Sequence, residues 1–462
     1  MKPPFMNTRK ARKIKETVTE VDEVSRMTGP RLNTRPGGAC SRRPQTWNAA
    51  LNRGGRSRIA HSAISLLSLT IHWSLFLSAL YLVPSHLLAW TNGELSIWLD
   101  PDRGRTLEPI IQKYTNDTGI KVTVELPENT PDSFAMAAQL GKGPDIIVWA
   151  HDKVGEWADA GLIAPIEVPQ ELANKFLPKA WEAVAHRGLI WGYPIALETV
   201  SLICNKALLD GPPPAQLSDL VGLNEEIKKK HPEATTILWD YNSSYYSWGI
   251  LASAGGYVFG KKGKDYDLQD VGVANPGAIE GLTEIVNLIH AGILPKGVNY
   301  SAVEDLMARG KLAMMISGPW AWSDLIKSGI DFGVAPIPGV GGHPGRPFIG
   351  VSAAYLNRSS PNQDLARDFL ERYVLTDEGL TAMDHGKPLG IPALISVEEK
   401  MVKNNPLLQE LKVCLDNGEV MPNVPQMGRF FSSLGTALQT VTNGQASPEA
   451  ALREAAATMR HQ

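Results

Sequence analysis

An α/β fold assembled as two lobes is what this sequence predicts, on three observations. The chain has 462 residues, more than one ordinary hydrophobic core organises. Short β-type runs alternate with stretches of helical spacing through its second part, a pattern that favours mostly parallel sheets. Charged and aromatic residues recur just beyond the ends of the predicted strands, where ligands sit on open α/β sheets.

The alternation begins only after a distinct leader. Residues 1–58 carry fourteen Lys/Arg against four Asp/Glu, a net of +10, whereas the whole chain is −3, so the remainder carries −13. The basic stretch, with Arg35-Pro36-Gly37-Gly38, reads as a disordered extension or a mis-assigned start, with Met27 as an internal alternative. Residues 59–89 then read as a signal peptide: Arg53, Arg56 and Arg58 precede an apolar run over Ala63–Leu82, small Ala89 ends it, and no Asp, Glu, Lys or Arg occurs from Ile59 to Gly93. An uncleaved membrane anchor is the rival reading, since about 20 apolar residues span a bilayer. The acidic body argues against nucleic acid as partner.

Leu95–Leu99 predicts a strand ended by Asp100-Pro101-Asp102. Leu107, Ile110, Ile111 and Tyr114 follow at helical spacing, with Gly119 as cap. Ile120, Val122, Val124 and Leu126 alternate as a half-buried strand, and Pro144–Val148 is another, followed by a helix marked by Val154, Trp157 and Ala158. Val303, Leu306 and Met307 form a helix face closed by Gly310, and Leu312–Ile316 is a strand leading into Ser317-Gly318-Pro319-Trp320. Residues 336–347, rich in Gly and Pro, are a loop or inter-lobe connection. Leu365, Phe369, Leu370 and Tyr373 share a helix face, and Ser447-Pro448 starts the last helix.

Three cysteines, Cys40, Cys204 and Cys414, show no metal-binding spacing. Cys204 lies in an apolar run and reads as a small buried side chain, with a Cys204–Cys414 disulfide as the alternative in an oxidising compartment. No phosphate cradle, nucleophile elbow or H-E-x-x-H motif is present, and no cofactor is expected. The strand-end residues are Asp102-Arg103, then Trp149-Ala150-His151-Asp152-Lys153, then Trp320-Ala321-Trp322. Rings there suit the apolar C–H faces of a sugar, and carboxylates suit its neighbouring hydroxyls. Residue chemistry alone reaches a small polar ligand, with sugar as one candidate.

Longer motifs carry a resemblance. Gly141–Lys153 (GKGPDIIVWAHDK), Tyr193–Glu198 leading to Asn205-Lys206, Ser317–Ser323, Leu375–Leu380, Lys387–Gly390 and Met421–Met427 occur in this order. Together they resemble the hallmark runs of periplasmic maltose- and maltodextrin-binding proteins, the substrate-binding subunits of ABC importers, from about Asn92 to the C-terminus. The resemblance implies the periplasmic binding protein type II fold, two discontinuous α/β lobes with a hinged ligand cleft. Residues 90–197 and 350–399 would form the N-lobe, and 200–348 and 403–462 the C-lobe. Hinge crossings are expected near Leu197–Val200, Phe348–Gly350 and Glu398–Lys403. It implies a periplasmic, monomeric binder of maltose or maltodextrin that docks on membrane permease subunits. It leaves open a chemoreceptor that reads the closed form.

By the same resemblance, Asp102 and Arg103 meet sugar hydroxyls, Trp149 stacks on a glucose face, and Asp152 and Lys153 bind hydroxyls. Glu198 accepts from a hydroxyl at the first hinge. Tyr245, Trp320 and Phe431 supply rings from the second lobe. Taken alone, Asp102 and Asp152 are equally readable as helix N-caps, Lys153 and Arg103 as solvated charges, and Trp149 and Phe431 as core. His151 reads as structural, with no second His as a metal partner. Ser243, Ser244 and Gly435 depart from the family pattern, which thins the polar contacts expected from the second lobe. Two other readings are weighed against maltodextrin capture: a binder of another glucoside such as trehalose, and a glycoside hydrolase built on the same carboxylates. Nothing in the sequence sets a carboxylate pair at catalytic separation.

Overall fold

A computed structural model describes residues 90–263 and 265–460. The extension 1–58, the apolar segment 59–89 and Cys40 lie outside the described residues. Strand β1 (Glu94–Trp98) covers most of the first apolar run. Asp100 then caps the helix Pro101–Thr118, accepting from the backbone N–H groups of Asp102 at 3.0 Å and Arg103 at 3.4 Å. Leu107, Ile110, Ile111 and Tyr114 form its buried face, and Gly119 ends it at φ 76°. Strand β2 (Lys121–Glu125) shows the expected alternation of half-buried and exposed side chains. Strand β3 (Ile146–Ala150) runs into a 3₁₀ turn, His151–Lys153, and the helix Val154–Asp159. Neither Asp102 nor Asp152 is an N-cap; Asp100 caps the first helix, and the 3₁₀ turn has no side-chain cap.

A short ribbon, β4 (Ala185–His186) with β5 (Leu189–Ile190), precedes the first exchange between sheets. Strand β6 (Tyr193–Thr199) belongs to the larger sheet, and β7 (Ser201–Asn205) to a four-stranded sheet, with only Val200 between them. Strand β8 (Thr235–Leu238), the ribbon β9 (Tyr257–Lys262) with β10 (Asp265–Gly272), β11 (Leu312–Ser317) and β12 (Phe332–Ala335) follow. Residues 336–347 then carry the chain back to β13 (Phe348–Leu356) in the larger sheet. Two short strands, β14 (Ile391–Pro392) and β15 (Glu419–Val420), complete it. The larger sheet has the order β14-β6-β13-β3-β1-β2, with β15 beside β13, and the smaller has β12-β7-β11-β8.

The expectation of mostly parallel sheets needs correction, because both sheets are mixed. Strands joined through helices, β1 with β2 and β3, and β8 with β11, pair in parallel. The strands that follow an exchange run mainly antiparallel to their neighbours, apart from the short parallel pairing of β13 with β15. Strand β7 is antiparallel to β11 and β12, and β13 is antiparallel to β3 and β6. A strand arriving from the other sheet enters where its neighbours end, so it runs against them.

The two exchanges lie side by side. Thr199 is paired with Ile349, and its buried hydroxyl donates to the Phe348 carbonyl at 2.8 Å. Strand β15 joins them: Glu419 N–H donates to Pro347 O at 3.0 Å and Met421 N–H to Ile349 O at 3.1 Å. Residues Glu398–Lys403 lie within the helix Ile395–Asn404. Beneath this seam, Trp248 stacks on Phe348 at 5.4 Å, with Phe430 edge-on to Phe348 at 5.6 Å. No described helix is long and apolar enough to cross a membrane.

Thr199→Val keeps the shape and removes the hydroxyl from a buried carbonyl, so a loss of about 1–2 kcal/mol is expected in urea unfolding.

Candidate functional site

A cleft of about 380 Å³ opens where β1, β3 and β11 end and where β6 and β13 cross. Arg103, Trp149, Asp152, Glu198, Tyr245, Trp320 and Phe431 line it, as do Asp100, Ser352, Met421 and Leu126. Asp102 and Lys153 do not. Asp102, in the first helical turn, is engaged by Arg105, and Lys153 bonds to Glu156 Oε2 at 2.8 Å. Sequence reasoning missed Asp100 and Ser352. Asp100 follows the first predicted strand directly, so the strand-end rule that picked its neighbours applies equally to it. Ser352 is a lone small hydroxyl inside an apolar strand and gives little signal.

One side of the cleft is ionic. The helix capped by Asp100 presents Arg103 in its first turn, where it is buried. Its Nε donates to Lys387 O at 3.3 Å and its Nη2 to Pro388 O at 3.0 Å, and Nη2 lies 3.6 Å from Glu198 Oε1. Lys387 in turn donates to Asp100 at 3.2 Å. Burial raises the Glu198 carboxyl above its ordinary range, and the Arg103 charge pulls it back. Burial also pushes Asp152 up to about 6, opposed by the Lys153 charge. None of the described side chains forms a hydrogen bond or ion pair with the Asp152 carboxylate, so it is available to accept.

The other side is a wall of rings. Tyr245 stands in the first turn of the helix Ser244–Ser253, with its ring centroid 6.2 Å from that of Trp320. Its hydroxyl reaches over Gly350: a Cβ there would sit 3.8 Å from the Tyr245 oxygen. Trp320 is held by Nε1 donating to the Tyr300 hydroxyl at 3.0 Å, which lies 3.1 Å from Ser317 Oγ. Phe431 comes from the helix Met427–Thr442. Ser244 explains part of the departure noted in the sequence. Its buried hydroxyl donates to Phe431 O at 2.8 Å, so it joins the two ring-bearing helices and does not face the cleft. A Cβ on Gly435 would lie 3.5 Å from Ser244 Oγ.

His151 lies under the floor. It is fully buried, its Nε2 lies 2.8 Å from Met421 O, and its Nδ1 accepts from Val351 N–H at 2.9 Å. These partners require the neutral Nε2–H tautomer. Burial lowers its pKa to about 4. Cys204 and Cys414 are free and buried, and burial pushes both thiols up to about 12. Among the described residues, no group of His, Cys, Asp or Glu is placed to hold a metal ion.

The family model described as bacterial extracellular solute-binding protein matches residues 100–380, a span that contains most of the ionic wall, Tyr245 and Trp320. The chain belongs to this family. Its relatives include a maltotriose-binding protein of Pyrococcus abyssi, 28% identical over 362 residues, covering 76% of this chain and 78% of that protein. A galactooligosaccharide-binding protein of Bacillus subtilis is 26% identical over 386 residues, covering 80% and 90%. A maltooligosaccharide ABC transporter solute-binding lipoprotein of Streptococcus pneumoniae is 26% identical over 375 residues, covering 78% and 87%. As an extracellular solute-binding protein the chain is a binder and not an enzyme.

The pH response of stability follows from the floor. Unfolded His151 takes up a proton near pH 6.5, whereas the folded side chain does so near 4. Stability is therefore lost as pH falls through this window, by on the order of 3 kcal/mol. Asp152 acts in the opposite sense, because its folded pKa is raised to about 6 and its contribution is lost as pH rises from 3.8. Unfolding of wild type and His151→Asn from pH 7.5 to 4.5 separates the two. The difference between the proteins should shrink as pH falls.

Proposed function

We propose that this solute-binding protein captures maltodextrins in the periplasm and delivers them to an ABC-type importer. The observation that carries this reading is the division of the cleft. Rings of Tyr245, Trp320 and Phe431 share the cleft with Arg103, Asp152 and Glu198, and Trp149, the penultimate residue of β3, adds a fourth ring. A glucan presents the matching pair of surfaces, apolar ring faces and edges of vicinal hydroxyls. Relatives named for maltotriose and maltooligosaccharides support the choice of a glucan.

In this reading residues 90–197 and 350–399 act as one lobe and 200–348 and 403–462 as the other. The adjacent crossings at Leu197–Val200 and Phe348–Gly350 are the hinge, and closure brings the ring wall onto the sugar. The closed form then docks, as a monomer, on the membrane permease. A signal peptide over residues 59–89 accounts for export. Asp102 and Lys153 become contacts only if closure frees them from Arg105 and Glu156.

Calorimetric titration tests the ligand. Maltotriose should bind, and heat from trehalose or a galactooligosaccharide in its absence would overturn the glucan assignment. Trp149→Ala should weaken maltotriose binding by about thirtyfold or more, as expected for a central aromatic anchor. Unchanged affinity would put the sugar elsewhere.

Affinity should also fall as pH drops through about 6, because protonated Asp152 loses acceptor capacity, and Asp152→Asn should flatten that profile.

A further inference from the structure

A serine interrupts the apolar strand β13, and its hydroxyl has no partner in the protein. Ser352 is 9% exposed and lines the cleft. No described residue forms a hydrogen bond with Oγ, yet Oγ is not sealed from solvent. A hydroxyl this enclosed costs stability unless something completes its hydrogen bonding.

The sheet register shows where it opens. Ser352 is paired with Ala150 on β3 and with Ala196 on β6, so its neighbours across both ladders carry only methyl groups. Side chains two residues apart on a strand share a face. Glu198 is therefore the next side chain on that face of β6, opposite Gly350. On the other flank, Ala150 leads into the turn that carries Asp152. The hydroxyl lies between the segments that supply the two carboxylates.

Donors in this part of the cleft are few, the Tyr245 hydroxyl over Gly350 being one. Ionised Asp152 and Glu198 only accept, and Arg103 directs Nε and Nη2 to the carbonyls of Lys387 and Pro388. A sugar hydroxyl that donates to a carboxylate still has lone pairs to fill.

Resting on the oligosaccharide reading above, we propose that Ser352 is a ligand-binding residue whose hydroxyl donates to a sugar hydroxyl, which in turn donates to a neighbouring cleft carboxylate. The strand itself has no use for the group. The ladders to β3 and β6 run through backbone atoms, and the alanines beside it show that a methyl suffices for packing.

Maltotriose titration of wild type and Ser352→Ala, each with its thermal midpoint, is the test. The variant should bind about three- to tenfold more weakly, at an unchanged or slightly higher midpoint, because no protein hydrogen bond is lost. Monodeoxy maltoses identify the partner: the analogue lacking it should bind wild type and variant equally, while the others retain the difference. Equal affinity of the two proteins for maltotriose would overturn the proposal. So would a lowered midpoint with no analogue-dependent difference, since that marks a packing role. If wild type binds galactotriose and not maltotriose, the glucan reading fails, and the same two proteins titrated with galactotriose still test Ser352.

Discussion

Two strand exchanges made side by side are the constraint on which the rest of this molecule depends. β6 passes into β7 with one residue between them, and β13 enters the larger sheet alongside β6, with Thr199 bonded to Phe348 across the seam. Because both exchanges occur at one edge, the carboxyl ends of β3 and β6 in one sheet and of β11 in the other face a common space. Pairing directions follow from this geometry. So does the cleft, since the residues at or just beyond the ends of β1, β3, β6 and β11 line one space. Trp248, Phe348 and Phe430 pack directly beneath, so the seam is also a core.

The cleft walls are held by different means. On the ionic side, Asp100 organises the start of a helix, Arg103 ties that helix to the 387–388 carbonyls, and Glu198 meets Arg103 from the crossing strand. Each charged group is thereby oriented by a neighbour before any ligand arrives, which reduces the ordering cost of binding. On the aromatic side the rings are fixed from behind, Trp320 through Tyr300 and Ser317, Phe431 and Tyr245 through Ser244. His151 joins the turn after β3 to β13 and to Met421, so the floor is tied together at one buried side chain.

Much of this was legible in the residues. The helical spacing of Leu107, Ile110, Ile111 and Tyr114, the alternation from Val122 to Val124, and the apolar run at Leu312–Ile316 all report local periodicity, which depends on neighbours in sequence. Strand-end placement led to Arg103, Trp149, Asp152 and Trp320. The same rule also picked Asp102 and Lys153, which do not line the cleft. Both stand within a turn of helix whose rotation aims them at Arg105 and Glu156, and one residue of helical phase separates a cleft-facing side chain from a solvated one.

By itself the sequence determined the element types, the acidic body behind a basic leader, the absence of catalytic motifs, and a set of aromatic and ionic residues suited to a sugar. These depend on composition and short-range spacing. Tertiary structure alone decided that the sheets are mixed, that Ser352 reaches the cleft, that Ser244 serves packing, and that no described side chain forms a hydrogen bond or ion pair with Asp152. Each of these depends on residues brought together across the seam from opposite ends of the chain, and no local pattern encodes the direction from which a strand enters its sheet.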